Sequence, residues 1–328
     1  MDITVVTAVY NGEEYLKESI DSILNQTFTE FEYIIVNDGS HDHTKMILDK
    51  IQDSRVKVIH LKNNGGAANA LNIGIQEAKG KWIAIQDADD VSVKHRLEKQ
   101  IDYVRSHPQL VAVGSSIECI TGKEKMDESS LEWEESFFNN KVNLRVDQFF
   151  STPLCHGSGF YLKEAHDAIG GYDPMFKIAY DYDLWTRMFD KGDILKIPEV
   201  LYKYRVHGDS LAHSNKLVTT NEVLISTFKN ISKIRYAHLN RKPNILFLGT
   251  ESNIKFYQEN LKIRDDYLMM HCVNEDNINK LREIGTIIRS GHYDGVILSV
   301  SIRYNEILRF LIQRGFSYTD NLFKVWMP

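Results

Sequence analysis

Four short apolar runs open the chain, and each ends in a cluster of small, polar or acidic residues. ITVVTAVY is stopped by Asn11 and Gly12, and FEYIIV by Asn37-Asp38-Gly39-Ser40. VKVIHL is stopped by Asn63-Asn64-Gly65-Gly66, and KWIAIQ by Asp87-Ala88-Asp89-Asp90. Between the runs lie stretches with helical spacing. Tyr15, Leu16, Ile20, Ile23 and Leu24 recur on one face of Glu13 to Leu24. Thr44 to Ile51 and the Ala-rich Ala67 to Ala78 also read as helices. Strand and helix in alternation predict a parallel sheet with helices on both faces. Ligands of such sheets bind beyond the C-terminal strand ends. One polar strand end is ordinary turn chemistry. Four in succession on one edge constrain the chain to a ligand-binding α/β fold.

Beyond Val91 the pattern loosens. Arg96 to Val104 reads as a helix and LVAVGSSIECI as a strand. GKEKMDESSLEWEESFFNN is charged and reads as a surface excursion. STPLCHGSGFYL reads as a further strand region, Tyr182 to Lys191 as a helix and EVLYKYRVH as a late strand. Ser214 to His238 is a helix-rich connector carrying Lys216, Lys229, Lys233 and Arg235 among apolar residues. From Pro243 the alternation restarts. NILFLGT, YLMMHCV and DGVILSV read as strands, with helices around Ile254 to Leu261, Ile278 to Arg289 and Tyr304 to Arg314.

Charge marks the same division. The 328 residues include 39 basic and 45 acidic side chains, a net charge of −6. From Pro243 onward the counts are 10 and 10, so the whole imbalance belongs to the earlier part. The charge break, a proline and the restarted pattern coincide near Arg241. The expected organisation is a catalytic domain over residues 1–214, a helical connector over 215–242 and a small accessory domain over 243–328. An acidic balance argues against a partner with a phosphate backbone, so no nucleic acid is expected. It leaves room for a nucleotide, whose few phosphates one metal ion can neutralise.

Cys119, Cys155 and Cys272 lie far apart, in no metal-ligand spacing, and fit a reducing compartment. MDITVVTAVYN lacks the basic start of a signal peptide, and no apolar run approaches the ~20 residues of a membrane span. The expected location is cytoplasmic, or peripheral at the inner membrane face. The connector supports two readings, an interdomain spacer and a basic amphipathic surface for anionic lipid.

The chemistry concentrates in Asp87-Ala88-Asp89-Asp90. Three carboxylates in four residues repel one another unless a cation or solvent relieves them. A divalent ion bound partly through substrate phosphates is the usual solution. Asp38, at the end of the second strand, sits where a dinucleotide fold places its ribose acid. The first turn reads Ala8-Val9-Tyr10-Asn11-Gly12, however, and lacks G-x-G-x-x-G. Without those glycines a pyrophosphate cannot approach closely, so NAD binding is rejected for this half. A P-loop is also absent.

Several segments together resemble a known family. TAVYNGEEYLKESIDSILNQTF, IIVNDGSHDHT, NNGGAANALNIGI and GKWIAIQDADD stand in the order and spacing of the family 2 glycosyltransferases of the GT-A fold. GGYDPMF, YDYDLWTRM and LYKYRVHGDS extend the resemblance over roughly residues 1 to 210. It implies a GT-A nucleotide-diphospho-sugar transferase fold, with a mixed, mainly parallel sheet between helices. It implies an inverting glycosyltransferase that moves a sugar from a nucleotide diphosphate donor, most often a UDP-sugar, with Mg²⁺ or Mn²⁺. The acceptor it implies is a hydroxyl of a glycan or of a lipid-linked glycan. Membrane association and homo-oligomers are further expectations.

Carried over by residue, the resemblance implies a donor site of Thr7, Ala8, Tyr10, Asp38, Asn69, Asp87, Ala88 and Arg205. Asp89 and His207 would hold the metal, and Asp181 would be the catalytic base. Asp181 precedes a predicted helix, so an N-cap is its alternative role. Tyr180 stands where the family usually has an acid. Gly66-Ala67-Ala68-Asn69-Ala70 lacks the family's usual Arg. His156 reads either as part of a donor or acceptor loop or as a satisfied structural histidine. Trp185 fits a core better than a sugar platform. Trp133, Phe137 and Phe138 either stack on an acceptor or cover the core. The C-terminal segment reads as a small Rossmann-like domain with an incomplete phosphate fingerprint at Gly249. Two other functions are weighed, a nucleotidyltransferase and an inactive sugar-nucleotide-binding scaffold. The first needs a Gly-rich basic loop after the first strand, which TAVYNGEE does not supply. Retention of Asp89 and Asp181 speaks against the second.

Overall fold

The computed structural model describes residues 1–123, 126–208, 215–260, 267–275, 281–299, 301 and 303–325. The chain divides into two compact units, Met1–Leu144 with Pro153–Ser214, and Arg145–Thr152 with Asn215–Pro328.

In the first unit, β1 (Ile3–Val9), β2 (Phe31–Asn37), β3 (Val56–His60) and β4 (Trp82–Ile85) are the four opening runs. They lie side by side and parallel in the order β3-β2-β1-β4. Adjacent residues of β1 point to opposite faces. Val5 packs with Leu16, Ile20, Ile23 and Leu97, while Val6 packs with Leu71, Ile75, Ile83 and Trp185. Both valines are fully buried. A strand covered on both faces reads as one continuous apolar run, because neither parity is exposed to water.

The helices that cover these faces include α1 (Leu16–Leu24), α2 (Thr44–Leu48), α3 (Ala67–Gln76) and α4 (Arg96–Ser106). The sheet then continues with a reversal. β7 (Phe160–Leu162) runs antiparallel beside β4, followed by β6 (Leu110–Thr121) and β8 (Asp193–Val206), which are parallel to one another. A two-residue β5 (Val91–Ser92) closes the edge against β8. The mixed, mainly parallel eight-stranded sheet has the order β3-β2-β1-β4-β7-β6-β8-β5.

Three local expectations change. The charged excursion contains a 12-residue helix, α5 (Glu128–Asn139), with no buried side chain. Asp127 caps it, and the Lys196 ammonium donates to the Phe138 and Asn139 carbonyls at its other end. STPLCHGSGFYL is mostly not strand. It holds a 3₁₀ turn over His156–Ser158, and only Phe160–Leu162 pairs. The helix α6 (Lys163–Ala168) follows it directly. The helix bearing Asp181, α7 (Tyr180–Met188), begins two residues earlier than its apolar rhythm indicates.

The second unit has its own parallel sheet of β9 (Asn244–Gly249), β10 (Met269–Asn274), β11 (Gly295–Ser299) and β12 (Leu322–Val325), in the order β10-β9-β11-β12. Helices α8 (Lys216–Asn230), α9 (Glu251–Asn260), α10 (Leu281–Gly291) and α11 (Tyr304–Ile312) belong to it. The expected connector is part of this unit. Leu224 and Phe228 of α8 and Ile231 after it are buried with Phe149, Phe247 and Tyr257. A spacer would leave those side chains wet, whereas here they complete a core. Ser214, Leu261, Ile278 and Val300, which bounded expected elements, lie outside the described residues, as do Asp209 and Ser210 of the LYKYRVHGDS segment.

Candidate active site

The strand ends are held as a set of interlocked turns. Gly39 adopts φ +71°, and a Cβ there would lie 2.7 Å from the Asn63 carbonyl carbon. Glycine therefore lets the turn after β2 approach the loop after β3. Asp38 fastens the same two loops. Its oxygens accept from the Gly65 and Gly66 N–H groups at 2.8 Å each, and its own N–H donates to the Val9 carbonyl at 2.8 Å. The Asn11 N–H donates to Ser40 Oγ at 2.9 Å, and the His41 N–H returns to Asn11 Oδ1 at 2.9 Å. Tyr10 stands 47% exposed at this edge, with its ring edge-on to His41.

The acid turn after β4 rests on a buried polar scaffold. Gln86 is fully buried, and its amide donates to Ser19 Oγ and to the Asp87 and Asp90 carbonyls. Beneath it lies Arg96, which is also fully buried. Its guanidinium donates to Gln100 Oε1, Ser92 Oγ and the carbonyls of Ile85 and Gly159. It also lies over the Tyr202 ring, 4.9 Å from the centroid. Burial pushes Arg96 down to about 10, with Tyr202, Asp87, Cys155 and Asp90 pulling the other way, so it stays cationic at neutral pH.

Three acids of the turn have different surroundings. Asp90 is buried; one oxygen accepts from the Arg205 N–H at 2.6 Å, and the other has no hydrogen-bond partner. Burial raises its pKa well above the usual carboxylate range, and the charges of Asp89 and Asp87 raise it further. Asp87 accepts from His156 Nδ1–H at 2.9 Å, and its backbone N–H donates to Tyr202 Oη at 3.2 Å. Asp89 accepts from His207 Nε2–H at 3.0 Å. The Asp89 side chain is 37% exposed and that of His207 14%.

The opposite wall comes from α7 and the Cys155–Gly159 turn. Asp181 lies inside the first turn of α7, whose N-cap is Ala179. Ala179 has no polar side chain to cap with, and Asp181 Oδ1 instead accepts from the Tyr182 N–H of the same first turn at 2.7 Å. Burial raises the Asp181 pKa, the positive charge of His156 and the Tyr182 N–H lower it, and Asp87 raises it again. His156 is buried, so desolvation alone would lower its pKa; Asp87 beside it and Asp181 beyond reverse the sign, and the net shift is upward. Its Nε2 bonds Tyr172 Oη at 3.0 Å, and the ring is edge-on to Tyr180 at 5.4 Å.

The predicted site residues thus separate. Asp87 with His156 and Asp89 with His207 form two hydrogen-bonded pairs on the same acid turn, and Asp181 interacts with His156 and Asp87 through charge. Ala8, Asn69 and Ala88 are partly buried around it and the neighbouring loops. Thr7 is different. It is fully buried, and its hydroxyl donates to the Gln86 carbonyl at 2.7 Å and meets Tyr33 Oη at 2.9 Å. Its hydroxyl supports the strand end from below. Arg205 is also an internal brace. It donates to the Asp89 and Thr121 carbonyls and to Glu18, and lies over the Tyr15 ring. Trp185 is fully buried in the core. Phe138 packs with Tyr204 near Cys155, whereas Trp133 is 63% exposed and stacks on Phe137. Arg96, Gln86 and Tyr202 were not anticipated. In sequence, Arg96 is one more charge on a charged helix, and only its register with the buried Leu97 and Gln100 hints at its position.

Among the described residues no group of three or more His, Cys, Asp or Glu is arranged to hold a metal. Asp89 and His207 are a pair. Their 3.0 Å Oδ2–Nε2 separation is that of a hydrogen bond, so His207 would have to release its Nε2 proton before both side chains could hold a divalent cation.

Solved nucleotide-sugar enzymes share this fold. S. aureus TarS 1–349, in complex with UDP-GlcNAc, superposes with a TM-score of 0.56 at 19% identity, covering 71% of each chain. The mannosyltransferase PcManGT from Pyrobaculum calidifontis, in complex with GDP-Man and Mn²⁺, gives 0.54 at 20% identity, over 74% of this chain and 65% of its own. The architecture is that of a GT-A glycosyltransferase.

The chain belongs to glycosyl transferase family 2, whose model matches residues 4–170. An uncharacterized glycosyltransferase of Haemophilus influenzae is 34% identical over 218 residues, 63% of this chain and 66% of that protein. The putative glycosyltransferase EpsE of Bacillus subtilis is 33% identical over 214 residues, 63% of this chain and 74% of its own length. The chain thus matches just under two thirds of the H. influenzae relative. Family membership removes the nucleotidyltransferase reading. No helix among the described residues is long and apolar enough to cross a membrane.

Proposed function

We propose that this chain is an inverting glycosyltransferase that uses a nucleotide diphosphate sugar, with a UDP-sugar as the leading donor, and a glycan or lipid-linked hydroxyl as acceptor. The observation that carries this reading is the approach of Asp181 to the acid turn after β4 through His156. In this reading one carboxylate group would serve the donor and a separate one would act as base. Nucleotide-sugar complexes of TarS and PcManGT support the donor class.

Asp38 and the loops it ties would shape the base pocket, with Tyr10 at its rim and Asn69 behind it. Asp87 and Ala88 would face the nucleoside. Arg205 acts through Asp89 and Asp90 by fixing the turn. Asp89 and His207 would hold Mg²⁺ or Mn²⁺, which offsets charge on the diphosphate leaving group. Asp181 would accept the acceptor hydroxyl's proton as the oxygen attacks the anomeric carbon. Burial raises the pKa of this carboxyl, which makes it a stronger base for that proton, and the charge of His156 acts in the opposite direction, toward the ionised form. One base and one displacement invert the anomeric centre without a covalent intermediate.

A thermal-shift panel of UDP-, GDP- and dTDP-sugars with Mn²⁺ reads the donor. Asp181→Asn is then expected to retain the donor-induced shift and lose transfer. Transfer near the wild-type rate would assign the base elsewhere. Binding of a donor by the wild type, with neither transfer nor donor hydrolysis toward any glycan acceptor, would return the scaffold reading.

A further inference from the structure

We propose that Trp133, backed by Phe137 on α5, is a stacking platform for an uncharged sugar of the acceptor chain, beyond the unit that receives the new sugar. This rests on the reading of the chain as a transferase to glycans, and adds to it the place and the charge of the acceptor.

A row of rings leads from the surface to the wall of the site. Trp133 stacks on Phe137, with centroids 5.6 Å apart and planes 17° apart. Phe137 stands edge-on to Phe138 at 5.1 Å, and Phe138 edge-on to Tyr204 at 5.9 Å. Phe138 and Tyr204 pack against Tyr202 and Cys155. Tyr202 Oη accepts the Asp87 N–H, and Cys155 opens the turn that carries His156. At the outer end Trp133 is 63% exposed, whereas Phe137 is partly covered, with the Lys141 ammonium 3.9 Å from its ring centre. Phe137 thus backs the indole, and the indole presents apolar surface to water. Tryptophan is highly buried on average, and apolar patches rimmed by polar residues mark binding sites.

The helix does not use that ring to stay in place. Asn139 accepts from the Ile117 N–H at 2.9 Å and donates to the Ile117 carbonyl at 2.8 Å. Glu135 accepts from the Cys119 N–H at 3.1 Å, and Lys196 holds the last carbonyls of α5. These polar contacts make α5 a fixed support and leave the indole out of the fold's own packing.

Position indicates the ligand. Strands β4 and β6 both run antiparallel to β7, so their C-terminal ends share one edge. Helix α5 meets β6 at Ile117 and Cys119, in its C-terminal half, and so flanks the edge that carries the acid turn. In the order β3-β2-β1-β4-β7-β6-β8-β5, the loops proposed for the donor follow β1 to β3, on the other side of β4. The flank bearing α5 is the one left to the acceptor. Charge narrows the choice further. Asp127 to Asn140 contains five acidic side chains and no basic one. Such a rim accepts hydrogen bonds from sugar hydroxyls, and repels phosphate, uronate and an anionic bilayer. Three ring contacts separate Trp133 from Tyr204, so the sugar on the indole lies further along the acceptor than the reacting unit.

Ligand-observed saturation-transfer NMR on the full chain, with cellohexaose, maltohexaose and chitohexaose and without nucleotide or metal, tests this. At least one hexaose is expected to bind the wild type. Trp133→Ala should weaken that binding by about tenfold. Trp133→Phe should stay within roughly threefold of wild type, because a flat apolar ring remains. Equal affinity in the wild type and a folded Trp133→Ala protein would overturn the proposal, as would no saturation transfer from any hexaose at about 10 mM. Phosphatidylglycerol vesicles supply the opposing arm. Cosedimentation that depends on Trp133 would assign the rings to a bilayer and overturn the sugar platform. None of these readouts requires transfer. A chain that binds a hexaose through Trp133 yet transfers to no glycan would uphold the platform and return the scaffold reading of the active site.

Discussion

Gly157 offers a demanding test of how closely this site is packed. A Cβ built there would lie 1.9 Å from Tyr202 Oη, 2.4 Å from its Cζ and 2.7 Å from Asp87 Oδ2. Contacts below about 3 Å cannot persist, so Gly157→Ala requires a displacement of more than ~1 Å at the Tyr202 contact. Tyr202 cannot provide it. Its ring is fully buried under Arg96, and its hydroxyl accepts the Asp87 N–H. The His156–Ser158 turn must move instead, and the 2.9 Å bond from His156 to Asp87 goes with it. Overpacking of this kind costs about 1–3 kcal/mol. For a unit of this size that corresponds to a fall in Tm of roughly 3–9 °C. Misplacement by about 1 Å near a reacting centre costs on the order of 100-fold in rate. The expected outcome is a folded protein with modestly lower Tm and severely reduced kcat. Differential scanning calorimetry and steady-state transfer on one preparation provide both numbers. Wild-type kcat in Gly157→Ala would refute the reasoning, because it would mean that the turn can shift without disturbing the acids.

Three further predictions address separate parts of the site. Arg96→Met removes a buried cation and leaves Gln100 Oε1 and neighbouring carbonyls without their donor, so urea unfolding should show a loss of about 3–5 kcal/mol. Asp90→Asn should flatten the pH dependence of stability. The folded-state pKa of Asp90 lies above its unfolded value, so its ionisation disfavours the fold, and wild-type stability from this group falls as pH rises beyond about 4. Urea midpoints at acidic and neutral pH should differ less in the variant, and an unchanged difference would count against a buried neutral carboxyl. Asp89→Ala should weaken Mn²⁺ binding, read by isothermal titration calorimetry with UDP present, by about tenfold or more, while leaving Tm near wild type because the side chain is partly exposed.

The opening strands were readable because both faces of β1, β2 and β4 are covered, which leaves an uninterrupted apolar run with a polar stop. Local spacing also predicted α1, α3 and α4 to within a few residues. It also found β6 and the end of β8, but not the short strands of the sheet's reversed part. β5 is two residues long, and β7 is three residues embedded in a segment of Gly, Ser and His. Neither is long enough for a period to develop. The helix α5 was hidden for a different reason. It buries no side chain, so it lacks the apolar stripe by which helices are recognised, although Asp127 does supply a capping signal.

The site shows the same limit at the level of single groups. Residue type at a strand end indicates chemistry, but the partner that determines its use comes from far along the chain. Asp87 meets His156 across 69 positions, and Asp89 meets His207 across 118. Asp181 was recognised through family resemblance, not spacing, because its link to the acid turn depends on where α7 lies relative to β4. Arg205 and Thr7 show the converse situation. Both have groups suited to a phosphate or a nucleoside, and both use those groups on protein atoms. A buried arginine is costly unless its donors are satisfied, and here the acceptors are the Asp89 carbonyl of the acid turn, the Thr121 carbonyl and the Glu18 carboxylate. The residues that would touch donor and acceptor are therefore few, and they stand on a larger set whose polar groups face inward. Arg96, Gln86, Arg205 and Thr7 fix the acids, and the acids then have only one arrangement in which to meet a ligand.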